Sequence, residues 1–336
     1  MAYYYLDAFQ SEKKFKDEIN YYADKALFYD DKLAQSLIAK SLYYTTSGDC
    51  KLAVPYLEKA LEYNPNSALA MNFLSDIYTG CLPNTEKYLQ NAVKGLQLNV
   101  AASDSITMSF NYLHVSNAFI QTGFVDEAEL YVNKSLNYNP NNLFSEYVKA
   151  YIGYARDKDL EKTKNAIIKT LEKDTTRLDV LQELGKICYY MRDFKTSYKY
   201  FKKFSDVRTQ YNLDIFKHMD AHIGYVYKEM GFIEESQKYF RDYKNYVDNN
   251  TSIYKNLELS MYFAYHNQTD KSIEHFKLFS QEDDYHYWVI LFLKIDPLWN
   301  NVVEDQEFQK IFDKIESKFW KNHNRIKKTL QQKKLI

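Results

Sequence analysis

Apolar residues recur at helical spacing along most of the chain, in blocks separated by short polar breaks. Residues 48–65 read GDCKLAVPYLEKALEYNP and residues 123–140 read GFVDEAELYVNKSLNYNP. Both have a Gly, an Ala five residues later, an amphipathic run and an Asn-Pro stop. Glycine supplies the turn into such a helix, alanine lets two helices approach closely, and proline ends the run because it lacks a backbone donor. The same frame returns in RDFKTSYKYFKKF (192–204), GFIEESQKYFRDY (231–243) and TDKSIEHFKLF (269–279), with Ser for Ala and Phe in the core. Each block predicts the second helix of a helix–turn–helix unit.

Equivalent positions fall at Ala26, Ala60, Gly95, Ser135, Thr170, Phe204, Tyr243 and Phe279, separated by 34, 35, 40, 35, 34, 39 and 36 residues. The first helices keep step. Leu181, Leu184, Gly185 and Cys188 occupy the packing positions of one unit, and Ile223, Gly224 and Tyr227 those of the next. Tyr44, Tyr78, Phe119 and Phe263 fill the late aromatic position elsewhere. In period and pattern the chain resembles the tetratricopeptide repeat family over nearly its whole length, in about seven units after a degenerate first one. It departs from that pattern in places. The terminal proline survives as Pro65 and Pro140, while Val100 and Thr175 replace it elsewhere. The unit near residues 144–177 fits the pattern least well. The long intervals put extra helix or loop around residues 101–108 and 206–216, and Pro55 predicts a kink just past a first helical turn.

The resemblance implies an all-α fold, a right-handed superhelical solenoid of antiparallel helix pairs over residues 1–295, whose ends need caps. Residues 296–336 are expected to supply capping helices and a basic tail. Asp296-Pro297 has the form of a helix start, and Asp305 that of the cap of a last helix. On that helix Phe308, Phe312, Ile315 and Phe319 form one apolar stripe, continued by Ile326 and Leu330. The ending FLKIDPLWNNVVEDQEFQKIFDKI also resembles the terminus of repeat blocks in bacterial multidomain signalling regulators. There a nucleotide-cyclase or winged-helix DNA-binding domain precedes the repeats, which implies that this chain is the C-terminal regulatory part of a longer protein.

Composition agrees with helices: 8 Gly and 5 Pro leave little material for turn-rich sheets. The 33 Tyr and 21 Phe suit half-exposed helix pairs, where a ring packs and a hydroxyl stays near water. Net charge is −1, but residues 314–336 hold eight Lys or Arg against the single acid Glu316, leaving about −8 on the body. Such a body argues against nucleic acid as a partner. The basic tail is expected either to keep a helix end soluble or to dock on an acidic surface, for example a second copy. The longest apolar stretch, Trp288 to Leu293, is too short to cross a bilayer, and MAYYYLDAFQ has no signal-peptide pattern, so no membrane is expected. Cys50, Cys81 and Cys188 are odd in number and widely spaced. That predicts no disulfide framework and a reducing, cytoplasmic setting.

Candidate chemistry is sparse. His218 and His222 stand one helical turn apart and could chelate a metal, but Met-Asp-Ala between them lacks the metalloprotease glutamate. No phosphate-binding glycine loop, Gly-x-Ser-x-Gly elbow or Cys/His pair is present. The expectation is a chain with no catalytic residues, no metal and no cofactor. In tetratricopeptide repeats the concave face comes from the first helix of each unit. The resemblance therefore places Asn72, Asp76, Asn117, Gln182, Lys186, Tyr190, His218, His222, Tyr225 and Tyr265 along a groove, with some of the tyrosines packing between repeats instead. The ligand expected there is a protein or peptide, or another domain of the same polypeptide. The family's carboxylate clamp finds only isolated matches, such as Asn117 and Lys186. The expected function is a protein–protein interaction scaffold, the regulatory module of a larger bacterial signalling protein. The alternatives are a free-standing peptide-binding adaptor and, more remotely, an enzyme or metal protein in a helical fold.

Overall fold

The computed structural model describes residues 1–99 and 104–332. Val100, the stretch 101–103 and the last four residues of the basic tail, Lys333 and Lys334 among them, lie outside the described residues. A short α1 (Ala2–Asp7) and α2 (Lys16–Tyr29) lead into seven antiparallel pairs. These are α3 (Ala34–Thr46) with α4 (Cys50–Tyr63), α5 (Ala68–Thr79) with α6 (Thr85–Asn99), and α7 (Ser105–Gln121) with α8 (Val125–Tyr138). Then come α9 (Leu143–Asp157) with α10 (Leu160–Lys173), α11 (Leu178–Tyr190) with α12 (Phe194–Gln210), α13 (Asp220–Glu229) with α14 (Ile233–Asn249), and α15 (Lys255–Tyr265) with α16 (Thr269–Phe279). The chain ends in α17 (Tyr287–Phe292), two 3-10 turns (Leu293–Ile295 and Pro297–Trp299) and α18 (Gln306–Gln332). The fold is all α. Among the described residues the only extended pairing is an isolated antiparallel bridge between Gln10 and Leu213.

A left-handed residue marks the turn inside six of the seven pairs: Gly48, Gly123, Lys158, Arg192, Gly231 and Asn267. The unit over α9 and α10, which fits the repeat pattern least well, turns in the same way. Its turn puts Lys158, not glycine, at φ 59°, and the Tyr154 carbonyl accepts the Lys158 N–H at 2.9 Å to end α9. Inside the pairs, close approach is set by small residues. A Cβ on Gly185 would overlap the Phe201 ring, and one on Gly224 would meet the Phe240 ring at 3.0 Å. Serines that stand where the repeat pattern has alanine return their hydroxyls to the partner helix: Ser197 donates to the Gly185 carbonyl at 2.7 Å, and Ser272 to that of Ser260 at 3.0 Å.

The cysteine expectation is overturned. Cys50 and Cys81 form a disulfide, with Cα atoms 6.4 Å apart. The turn after α5 returns beside the start of α4, so residues 31 apart in sequence meet across one repeat boundary. The cysteine count therefore gives no ground for a reducing compartment. Cys188 is free and buried, and burial pushes its thiol up to about 12.

Both ends of the chain strap back across the solenoid. At the N-terminus, the Asp214 N–H donates to the Phe9 carbonyl at 3.0 Å and the Ser11 hydroxyl to the Asn212 carbonyl at 2.8 Å. The long connection between α12 and α13 is thus pinned by the first segment. At the C-terminus, Asp305 caps α18 by accepting from the backbone N–H groups of Glu307 and Phe308 at 2.7 and 3.1 Å. The first half of α18 seals the last pair, with Phe308 stacked on Phe276 at 4.6 Å and Phe319 on Tyr287 at 5.3 Å. Its basic half continues back to earlier repeats. His323 Nδ1 donates to the Thr122 carbonyl at 2.9 Å while its ring lies 4.0 Å from that of Phe124. Arg325 pairs with Glu86 at 2.6 Å, and Ile326 and Leu330 are buried. The acidic surface met by the described part of the basic tail belongs to its own chain.

Candidate functional site

The first helices of the pairs face inward around a cavity of about 840 Å³ that reaches from the end of α5 to α17. Much of the groove beside it is filled by residues 287–299 of the same chain. Phe292 stacks on Tyr154 at 4.8 Å and on Tyr190 at 5.0 Å, and Trp288 meets the Tyr151 ring at 5.6 Å. Asp296 then anchors the segment. One of its carboxylate oxygens accepts from the Tyr189 hydroxyl at 2.5 Å and from the Leu298 N–H at 2.9 Å, and the other lies 2.9 Å from His222 Nε2. Trp299, with 1% of its surface exposed, packs against Phe276 and Phe308 behind this anchor.

The local sequence explains the shape of the segment. Asp296 caps the Pro297–Trp299 turn, and Pro297 occupies a position where no backbone donor is needed. A second polar centre lies on α11. The Glu183 carboxylate accepts from Lys186 at 2.6 Å, from the Tyr151 hydroxyl and from the Gln182 side-chain amide. Burial first, and the adjacent carboxylates second, raise the pKa of Tyr151 and Tyr189 well above the usual phenol range, so both hydroxyls stay protonated as donors. On α15, burial pushes the Glu258 carboxyl up to about 7.

Of the residues expected along the groove, Asn117, Lys186, Tyr190, His218 and His222 line this one cavity. Gln182 is buried beside it. Tyr225 and Tyr265 pack between repeats, with Tyr265 stacked on Phe240 at 3.9 Å and 5.9 Å from Tyr225. Asn72 and Asp76 are exposed on α5, outside the cavity. Sequence reasoning missed Glu183, Tyr151, Phe292 and Asp296 as groove residues. A signal was present for two of them, since Phe292 lies within the longest apolar stretch and Asp296 starts the Asp-Pro turn. Among the described residues no cluster of three or more His, Cys, Asp or Glu is placed to hold a metal ion. None of their helices is long and apolar enough to cross a membrane.

Residues 34–67, the α3–α4 pair with its following turn, match the family model of the tetratricopeptide repeat. The human IFIT1 dimer with PPP-AAAA is similar over 88% of this chain, at TM-score 0.52 and 13% identity. Yeast Tom70 is similar over 90% of it, at TM-score 0.50 and 15% identity. The fold is that of a tetratricopeptide-repeat solenoid. The Cut9–Hcn1 hetero-tetramer of the APC/C resembles this solenoid over 70% of the chain, at TM-score 0.50 and 12% identity. The solenoid spans 44% of that chain, 66% of IFIT1 and 64% of Tom70, less than two thirds of each. Comparison with curated protein sequences gives no match.

Proposed function

We propose that this solenoid is a protein-interaction scaffold whose groove recognises a short segment bearing aromatic residues followed by an acidic turn, and whose own residues 287–299 are the resident occupant. The observation that carries the reading is the seating of that segment: two aromatic side chains packed against tyrosine rings, then a carboxylate held by Tyr189 and His222. Side chains at alternating depths along a groove are a recurrent mode of peptide capture. A partner segment of the same chemistry would compete for the site, so binding would be gated by release of the C-terminal segment. The IFIT1 structure holds PPP-AAAA, but the lining here suits no such anion. Among the described residues of the lining, Glu183, Glu258 and Asp296 stand against the single ammonium of Lys186. A place within a larger bacterial signalling protein is the finer reading, supported by the sequence of the last forty residues alone.

A fluorescent peptide of residues 285–300 tests the proposal in trans. The triple variant Trp288→Ala, Phe292→Ala, Asp296→Ala should bind it with a Kd in the micromolar range, about −8 kcal/mol, and the unaltered chain far more weakly. A variant that keeps its helical circular dichroism and binds no peptide would refute groove recognition.

A further inference from the structure

The end of the cavity between α14 and α15 has a chemistry that a seated peptide segment leaves unused. The Glu258 carboxylate accepts from the Asn250 amide at 2.6 Å and lies beside the Tyr246 hydroxyl, both neutral partners. The Tyr243 hydroxyl bonds the Glu258 backbone carbonyl at 3.2 Å, and the Tyr243 and Tyr246 rings are 6.4 Å apart. Tyr254 closes this end, its hydroxyl accepting the His286 N–H at 2.9 Å. A carboxylate among aromatic faces with no cation of its own suits an incoming positive charge, because ring faces attract cations and the desolvated carboxylate gains its missing partner.

Two acceptors on the lining ask for the same thing. His222, 7% exposed, sets Nε2 against Asp296, which in the neutral ring leaves Nδ1 as an acceptor, and Nδ1 has no hydrogen-bond partner among the described residues. Gln121 Oε1, another acceptor on the lining, is also without one. Lys186 is already neutralised by Glu183. We infer that this cavity binds a small organic cation, a primary ammonium on an apolar body, with its N–H groups on Glu258 and its body against the Tyr246 and Tyr254 rings. The cavity volume of 840 Å³ lies within the range of small-molecule sites.

The full chain should be titrated by calorimetry with phenethylamine, 2-phenylethanol and phenylacetate, which share a body and differ in head group. Phenethylamine is expected to bind at least tenfold more tightly than either of the others, and Glu258→Gln to remove that advantage. Nα-acetyl-lysine methylamide carries the same head group on a peptide. Tighter binding of it would identify a partner's lysine as the source, and tighter binding of phenethylamine a free amine. Equal or better binding of phenylacetate, no binding of either ammonium probe, or an unchanged preference in Glu258→Gln would overturn the inference. Should Glu258→Gln fail to fold, the head-group series on the unaltered chain and the variant Tyr246→Leu decide the question.

Discussion

His222 and Asp296 meet at 2.9 Å although 74 residues separate them, and this contact joins the inner face of α13 to the segment that fills the groove. The same carboxylate takes the Tyr189 hydroxyl of α11 at 2.5 Å. One side chain thus fastens the segment to two successive repeats. Replacing Asp296 by Ala leaves a buried phenol and a buried imidazole without their acceptor, and should cost about 2–4 kcal/mol. Urea unfolding followed by circular dichroism measures this. Asn300→Ala, which removes an exposed 3.1 Å hydrogen bond from Arg192 and a 3.5 Å contact to Tyr225, should cost less than about 1 kcal/mol.

Two glycines in first helices should respond in opposite directions. Gly185→Ala drives a methyl group into the Phe201 ring and should destabilise by about 1–3 kcal/mol. Gly153 sits within α9, and a methyl group added there would meet nothing within 4 Å, so Gly153→Ala should stabilise by about 0.5–1 kcal/mol. Paired thermal melts give both signs.

The repeat was legible because period and close packing are local properties. Gly185, Gly224 and the core phenylalanines of the second helices stand where the spacing put them. The cap at Asp305 and the apolar stripe of α18 were legible for the same reason. What escaped depends on long-range closure. Nothing local tells that His323 will reach Thr122, that Phe9 will pair with the α12–α13 connection, or that Trp288 and Phe292 will turn inward onto Tyr151 and Tyr190. The groove residues split accordingly. Lys186, Tyr190 and His222 line the cavity from first helices, whose register the repeat resemblance supplies, whereas Asp296 lies outside the repeats and has no such register.

Closing the loop between Cys50 and Cys81 restricts the unfolded chain over 31 residues, which is worth about 3–4 kcal/mol in the chain-entropy account. Adding reductant should lower stability by that amount in urea titration. Under denaturing, non-reducing conditions thiol titration should find one free cysteine, Cys188. Finding three would remove the bridge.

Glu258 makes stability depend on pH in a definite sense. Its folded pKa is raised from 4.5 to about 7, so the native state holds the proton more tightly than the unfolded chain does. The stabilising contribution is present below pH 4.5 and is lost as pH rises towards 7. Relative to Glu258→Gln, the unaltered chain should lose on the order of 1–3 kcal/mol across that window. Denaturation of both proteins below, within and above the window provides the double difference.

Backbone hydrogen exchange over residues 287–299 tests the central claim, that the groove is filled by the chain's own segment. The Leu298 N–H is bonded to Asp296 at 2.9 Å and lies 3.0 Å from the Tyr189 hydroxyl, inside a buried site. Protection of this segment should approach that of α11, and Asp296→Ala should lower it while leaving α3 to α8 unchanged. Exchange of residues 287–299 at the rate of a free peptide, with α11 and α13 fully protected, would contradict the account.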